Sequence, residues 1–372
     1  MEGAPGIVEN PKPFRFTRRV IPLSHLSPQQ IILIQPLHDH PCDAIILGDG
    51  GELCRVNLHE GSIQRIITLT KEQLRFDGVV SMVLSRDHAF AAITSASCNN
   101  RQEPFNFGVV IDLNTGQQVI PLNCGDYYIE HTPFPVNFIK HAGENLVVHA
   151  TDWNRLDVTN LNTCQCLTKR EFTEVGDNNI FKKSVFTEWN GHLEISPNQQ
   201  KIATIGWIWH PVGIAFSWSI KDWLEHNVWE ADYGKSKRSY CMWDYFWDSP
   251  FFWYNDNTLC IWGSSEFQDF GDTPIDSVAI FNAETEETIR EFAGPTSDIF
   301  YFDQYLFSGL PKKDGTENGI SVWDIEKGAL LHKQPDINPR MYHPGLREFI
   351  EISEDGWFGW HWQEESDHDT HV

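Results

Sequence analysis

The sequence predicts an all-β fold in which a four-stranded unit repeats until its ends meet, and three observations carry that expectation. Short β-rich runs recur along the 372 residues, among them DAIILG, VVSMVLS, HAFAAIT, NLVVHAT, KIATIGW, TLCIWG and SVAIF. Asn, Asp and Gly punctuate them, and long amphipathic helices are hard to find. The turns between the runs are themselves similar, which is the mark of a repeat architecture.

The repeated part is a hairpin. VNLHEGSIQRI around Asn57, IDLNTGQQVI around Asp112, TNLNTCQCL around Asn160, FNAETEETI around Asn282 and WDIEKGALL around Asp324 share one plan. An apolar strand ends at Asp or Asn, a turn of four or five residues follows, and a second strand begins. The Asp or Asn side chain favours such a turn by hydrogen-bonding the backbone just ahead of it. WSIKDWL is a degenerate copy with Ser219 in the anchor position. Successive anchors at 57, 112, 160, 219, 282 and 324 are 55, 48, 59, 63 and 42 residues apart, the period of a four-stranded blade with loops of variable length.

Upstream of each hairpin lies another with its own short polar turn: SRDH (Ser85–His88), FIKHAGENLVV, LEISPNQQKIATI, FFWYNDNTLCIW, IFYFDQYLFS and FIEISEDGWFGWHW. These supply inner strands a and b, and the Asp/Asn hairpins supply c and d. The last copy, Phe349–Trp362, has no c and d after it, and the unpaired FRFTRRVIPL, Phe14–Leu23, is available to complete it. Phe14, Phe16 and Val20 are expected to pack with Ile350, Phe358 and Trp360. Closure of this kind hides the exposed edges that sheets otherwise protect.

With ISPNQQKIAT, ISEDGWFGW and SVWDIEKG in place, the chain resembles a divergent WD-repeat-like β-propeller of seven four-stranded blades over residues 14–363. Trp323–Asp324 falls where the family dipeptide would, but the dipeptide does not recur and the family's Gly-His pair is absent. The GWIWHP segment, followed by a strand and a short helix, is similar to uncharacterised bacterial propeller proteins, and that likeness implies no function. Residues 1–13 and 364–372 are expected to be tails.

Propellers place a–b and c–d turns at one face and b–c and d–a loops at the other. The long segments, Ser97–Phe107, Asn123–Pro133, Glu171–Asn190, Asn227–Ser249, Ser264–Ile275, Gly309–Gly319 and Gln334–Leu346, are read as b–c or d–a connections, and every a–b and c–d turn as short. Binding residues concentrate on loops carried by a rigid scaffold, so the long-loop face is the expected working face.

Nine of the 15 Trp residues fall between 207 and 262. Trp207 and Trp218 lie in strand patterns and are expected in the core. Trp223 belongs to SIKDWLEHN, where Ser219 would cap a short helix that replaces the c–d hairpin. Trp209 and His210 fall at a tight b–c crossing. Asn227–Ser249 carries Trp229, Tyr233, Tyr240, Trp243, Tyr245 and Trp247, with Lys235, Lys237 and Arg238 among them. Tyr, Trp and Arg dominate interface energetics, so these eight aromatic and His residues are the candidate binding set. A small core of the loop's own would need the same residues.

Composition narrows the classes. Against 28 basic residues stand 52 acidic ones, a formal charge of −24 that repels phosphate backbones and anionic membranes and favours a basic partner. No signal-peptide core or membrane span is recognisable, the eight Cys form neither a disulfide framework nor a CxxC pair, and no N-x-S/T occurs. A reduced, cytoplasmic protein is expected. No P-loop, GxSxG, HExxH, GxGxxG or EF-hand pattern appears, so no catalytic residue, metal ligand or cofactor is assigned. His38, Asp39, His40 and Asp43, like His368, Asp369 and His371, read as solvated polar segments. The expectation is a non-enzymatic interaction module holding a protein partner on its long-loop face, in its sharper form an inhibitor or immunity-type protein against a basic toxin or enzyme. The alternative is a metal-dependent hydrolase or lactonase-like enzyme with an ion on the propeller axis. A sugar pocket lined by Trp also remains open.

Overall fold

The anchors of the repeated hairpin make the bonds their chemistry calls for. Asn57 Oδ1 accepts from His59 N (3.0 Å) and Glu60 N (2.7 Å), and Asp112 Oδ1 from Asn114 N (2.8 Å) and Thr115 N (3.0 Å). Asn160 and Asn282 repeat the pair, while Asp324 Oδ1 accepts from Lys327 N at 3.0 Å. Four residues past each anchor the backbone is left-handed, at Gly61, Gly116, Cys164, Glu286 and Gly328. Three of the five are Gly, the residue that adopts this conformation without steric cost.

The computed structural model describes residues 14–24, 26–38, 40–97, 104–125, 127–129, 131–170, 188–208, 212–244, 246–263, 277–295, 300–310 and 319–365. After β1 (Phe14–Val20) comes a first sheet of β2 (Ile31–Pro36), β3 (Asp43–Gly48), β4 (Glu52–Asn57) and β5 (Ile63–Thr68). The second sheet holds β6 (Val79–Leu84), β7 (Phe90–Ala96), β8 (Asn106–Asp112) and β9 (Gln118–Asn123). The third has β10 (Val136–His141), β11 (Glu144–Asp152) and β12 (Arg155–Asn160), with a single bridge, Thr159 to Cys166, in place of the outer strand.

In the fourth sheet the inner strand is split into β13 (Glu188–Trp189) and β14 (Leu193–Ile195), both paired with β15 (Lys201–Ile208); β16 (Val212–Ser219) and β17 (Arg238–Asp244) complete it. The fifth is β18 (Phe251–Asn255), β19 (Thr258–Trp262), β20 (Ser277–Asn282) and β21 (Thr288–Ala293). The sixth is β22 (Phe300–Phe302), β23 (Leu306–Gly309), β24 (Gly319–Asp324) and β25 (Ala329–Pro335). The last runs β26 (Pro339–His343), β27 (Glu348–Ser353), β28 (Gly356–Glu364) and then β1. These seven antiparallel blades, built on a four-stranded plan, are a seven-bladed β-propeller.

The N-terminal strand completes the last blade as expected. Seven rungs join it to β28, from Phe14 opposite Glu364 to Val20 opposite Phe358. Phe14 and Phe16 pack inward, Phe14 against Tyr305 and Trp362, and Phe16 against Phe349. Val20 does not: alternation puts it on the same side of the strand as Phe14 and Phe16, but it ends β1, six residues beyond Phe14, and its side chain is 72% exposed. Arg19 joins Glu348 in β27 through two 2.7 Å hydrogen bonds.

Two compact units make up the chain, Met1–Thr70 with Asp276–Val278 and Glu291–Val372, and Lys71–Ile275 with Ala279–Arg290. In the first, one core gathers around Ile46, Val56, Ile350 and Trp357, and another around Phe307, Phe349 and Trp362. In the second, the larger core runs from Val110 through Val147 to Trp218 and Trp223, and a neighbouring one holds Tyr240, Trp243, Phe246 and Phe281. No helix among the described residues is long and apolar enough to cross a membrane.

Candidate functional site

The fourth blade departs from the expected loop plan. Its c–d connection is long, holding α1 (Ile220–Glu225) and α2 (Glu230–Tyr233), and strand d is kept as β17 rather than replaced by a helix. Ser219 caps α1, its Oγ accepting from Asp222 N at 3.1 Å, and Trp223 is fully buried with Nε1 donating to Val228 O at 3.1 Å. Asn227–Ser249 is therefore not one loop on one face. Val212 pairs with Asp244 at one end of the blade and Ser217 with Arg238 at the other, which sends its aromatics to opposite ends.

At the helical end, Trp229 stacks on Tyr233 with ring centroids 5.6 Å apart, and the Arg170 guanidinium lies 5.0 Å from the Trp229 ring. Arg170 is buried between Asp157 (2.7 Å) and Asp232 (2.9 Å). Burial raises the Asp232 carboxyl above its ordinary value despite the opposing pull of Arg170. Burial would also raise Glu230, but hydrogen bonds from Ser236 and Asn227 prevail and hold it below. The insertion is thus pinned by ion pairs, and Tyr233 is its exposed ring.

Tyr240 and Trp243 sit in the core. Tyr240 OH bonds with Ser217 Oγ, burial pushes its phenol up to about 12, and Trp243 packs on Phe246 at 5.0 Å. As core residues they offer little surface to a partner, since the bulge at Tyr240, opposite Ala215–Phe216, lets Tyr240 and Trp243 both turn inward while Met242 faces outward. Trp209, His210 and Tyr245 lie outside the described residues, as do Asp39, His368, Asp369 and His371. Trp207 and Trp218 are buried, as their strand patterns predict.

At the other end of the blade, Trp247 joins a set of rings that the sequence does not gather. Trp189 of β13 pairs across the sheet with Trp207 of β15, centroids 4.4 Å apart. Trp153, at the b–c turn of the third blade, lies 4.5 Å from Trp189, and His131 lies 4.5 Å from Trp207. Tyr127 stacks on Trp189 at 5.8 Å with an interplanar angle of 18°, and its carbonyl accepts from Trp189 Nε1 at 3.0 Å. Tyr128 meets Tyr127 edge-on at 4.9 Å, and Trp247 reaches Trp207 at 6.2 Å. Trp189 and Trp207 are the floor, at 3% and 8% exposure; Tyr127 and Tyr128 are the surface, at 45% and 40%.

This run of seven rings ends the b–c and d–a connections of two successive blades. Ring pairs in such offset and edge-on arrangements add about 0.5–1.5 kcal/mol each beyond burial, so the exposed tyrosines rest on a stiff base. Carboxylates adjoin it along the chain: Asp152 precedes Trp153, Glu188 precedes Trp189 and Asp248 follows Trp247. Among the described residues no three His, Cys, Asp or Glu side chains gather as a metal site. Asp43 is engaged by Arg55 (2.8 Å) and Asn57 (2.7 Å).

No protein-family model and no curated protein sequence matches the chain. Among solved structures, hydrazine synthase of Kuenenia stuttgartiensis is similar over 94% of this chain and 99% of its own, at 12% identity and a TM-score of 0.53. A chain of the mitotic checkpoint complex is similar over 98% and 99% at 10% identity and 0.48. The oligogalacturonate lyase of Vibrio parahaemolyticus is similar over 88% and 75% at 10% identity and 0.43. The first likeness is one of fold alone, and the other two carry no argument.

Proposed function

We propose that this propeller is a non-enzymatic interaction module that docks a basic protein on the aromatic, carboxylate-flanked ends of its third and fourth blades. The observation that carries the reading is the seven-ring run with Tyr127 and Tyr128 outermost. Large exposed rings over a stiff buried base lose little side-chain entropy on binding, and aromatic anchors of this kind contribute about 2 kcal/mol or more each at interfaces. The formal charge of −24 selects the partner's sign and speeds its approach. The WD-repeat likeness of SVWDIEKG fits such a scaffold role, and an inhibitor or immunity-type protein facing a basic toxin or enzyme is its most specific form.

The test is capture from native lysate by the parent chain and by Tyr127→Ala/Tyr128→Ala, with thermal melts of both. Expected is a partner of basic isoelectric point that the double variant fails to hold while melting like the parent, and whose affinity falls as salt rises. A partner retained equally by the variant, or bound with salt-independent affinity, overturns the reading.

A further inference from the structure

Twice in the second unit an arginine lies over an aromatic ring and pairs with a carboxylate at the same time. Arg75 sits 4.0 Å from the Phe105 ring centroid, and its Nε and Nη2 donate to Asp77 at 3.0 and 2.7 Å. Arg170 lies 5.0 Å from the Trp229 ring and donates to Asp157 at 2.7 Å. A planar guanidinium can do both, because it stacks through its face and donates through its edge.

At Tyr127 the ring and the carboxylate are present and the arginine is not. Tyr127 is 45% exposed, and among the described residues its ring meets only Tyr128, Trp153 and Trp189. Asp152, half-buried where β11 enters the b–c turn of the third blade, borders the segment that carries Tyr127: a Cβ on Gly125 would stand 3.2 Å from Asp152 Oδ1. Burial pushes the Cys124 thiol up to about 12, and the Asp152 charge adds to that push. Among the described residues Asp152 accepts one hydrogen bond, from Trp153 N at 2.8 Å, and forms no ion pair. A carboxylate offers about four acceptor positions, so most of its capacity is open.

We propose that the partner presents an arginine here, its guanidinium lying on Tyr127 and Tyr128 and donating to Asp152. This rests on the reading of the ring run as a protein-docking surface, and adds the side chain that the surface selects. The formal charge of −24 draws any cation; the ring beside an open carboxylate discriminates among them. Lysine matches it less well, because its ammonium is a strongly hydrated point charge with no face to lay on a ring and no fork for two carboxylate oxygens.

The experiment titrates the full chain by calorimetry at low salt with three capped probes: tetra-arginine, tetra-lysine and the neutral tetra-citrulline. Expected is that the arginine peptide binds about fivefold tighter than the lysine peptide, and that the citrulline peptide gives no heat. Asp152→Asn keeps the oxygen that Trp153 N needs, so it should melt like the parent while the preference for arginine disappears. Tyr127→Ala/Tyr128→Ala should abolish the preference too. The proposal falls if the lysine peptide binds as tightly as the arginine one, or if Asp152→Asn keeps the parent's preference. Should lysate capture still depend on Tyr127 and Tyr128 in that case, the docking surface stands and only the arginine is removed; capture indifferent to the two tyrosines removes both.

Discussion

Replacing Arg19 by Met measures how firmly β1 is held in the last blade. Arg19 Nε and Nη2 donate to the two oxygens of Glu348 at 2.7 Å each, and Nη1 donates to Leu58 O at 3.0 Å. Glu348 is 6% exposed, so Met at position 19 abandons a buried carboxylate. Removing one partner of a fully buried pair costs about 3–5 kcal/mol. The Arg19 side chain is 30% exposed, so solvent reaches one side of the pair, and about 2–3 kcal/mol is the better figure. At roughly 2–4 °C per kcal/mol for a domain of 150–250 residues, the melting temperature should fall by roughly 4–12 °C. Circular dichroism melts at neutral pH read the change. Arg19→Met/Glu348→Leu removes both charges and should recover most of the loss, because apolar side chains of similar volume suit the site. A single variant that melts with the parent, or a double variant that melts below the single, refutes the assignment of this pair as the clasp of β1.

Two further outcomes follow from turn geometry and from buried histidines. Gly61 has φ of 73° and a Cβ there would collide with Pro22 O, so Gly61→Ala should lower the melting temperature, whereas Cys164→Gly, at φ of 57°, should stabilise by about 0.5–1 kcal/mol; equal shifts for the two would refute the strain argument. His149 and His343 are buried, and desolvation lowers both below their ordinary 6.5. The unfolded chain therefore takes up these protons at a higher pH than the folded chain does. The stability their neutral forms support is complete above about pH 6.5 and drains away as the pH falls toward the folded values. Thermal melts should drop between neutral pH and about pH 5, less steeply in His149→Gln, and a flat profile there would refute it.

Much of the fold was legible because it is written in local chemistry. Asn57, Asp112, Asn160, Asn282 and Asp324 declare their turns through one side-chain oxygen, and Phe14–Val20 declares itself by having no neighbour in sequence to pair with. Trp223 was legible too, since Ser219 and Asp222 mark the start of its helix. The fourth-blade insertion was misread because Arg238–Asp244 is a strand rich in polar residues flanked by aromatics, and nothing local separates it from the loops on either side. The ring cluster was half visible. Tyr127, Tyr128, Trp189 and Trp247 fall in segments whose length marked them, but aromatic density counted along the chain favours Asn227–Ser249. Only pairing such as Trp189 with Trp207 brings together residues as far apart as 127 and 247.

The partnership of β1 with β28 also sets a schedule. Arg19 and Glu348 are separated by 329 positions. At a translation rate of roughly 5–20 residues per second, β1 leaves the ribosome roughly 15–65 s before the strands it belongs with exist. Through that interval Phe14 and Phe16 have no sheet to enter, and their strand offers an open row of amides and carbonyls to whatever passes. A chaperone that holds extended, aromatic segments would meet β1 first and have to let go of it last.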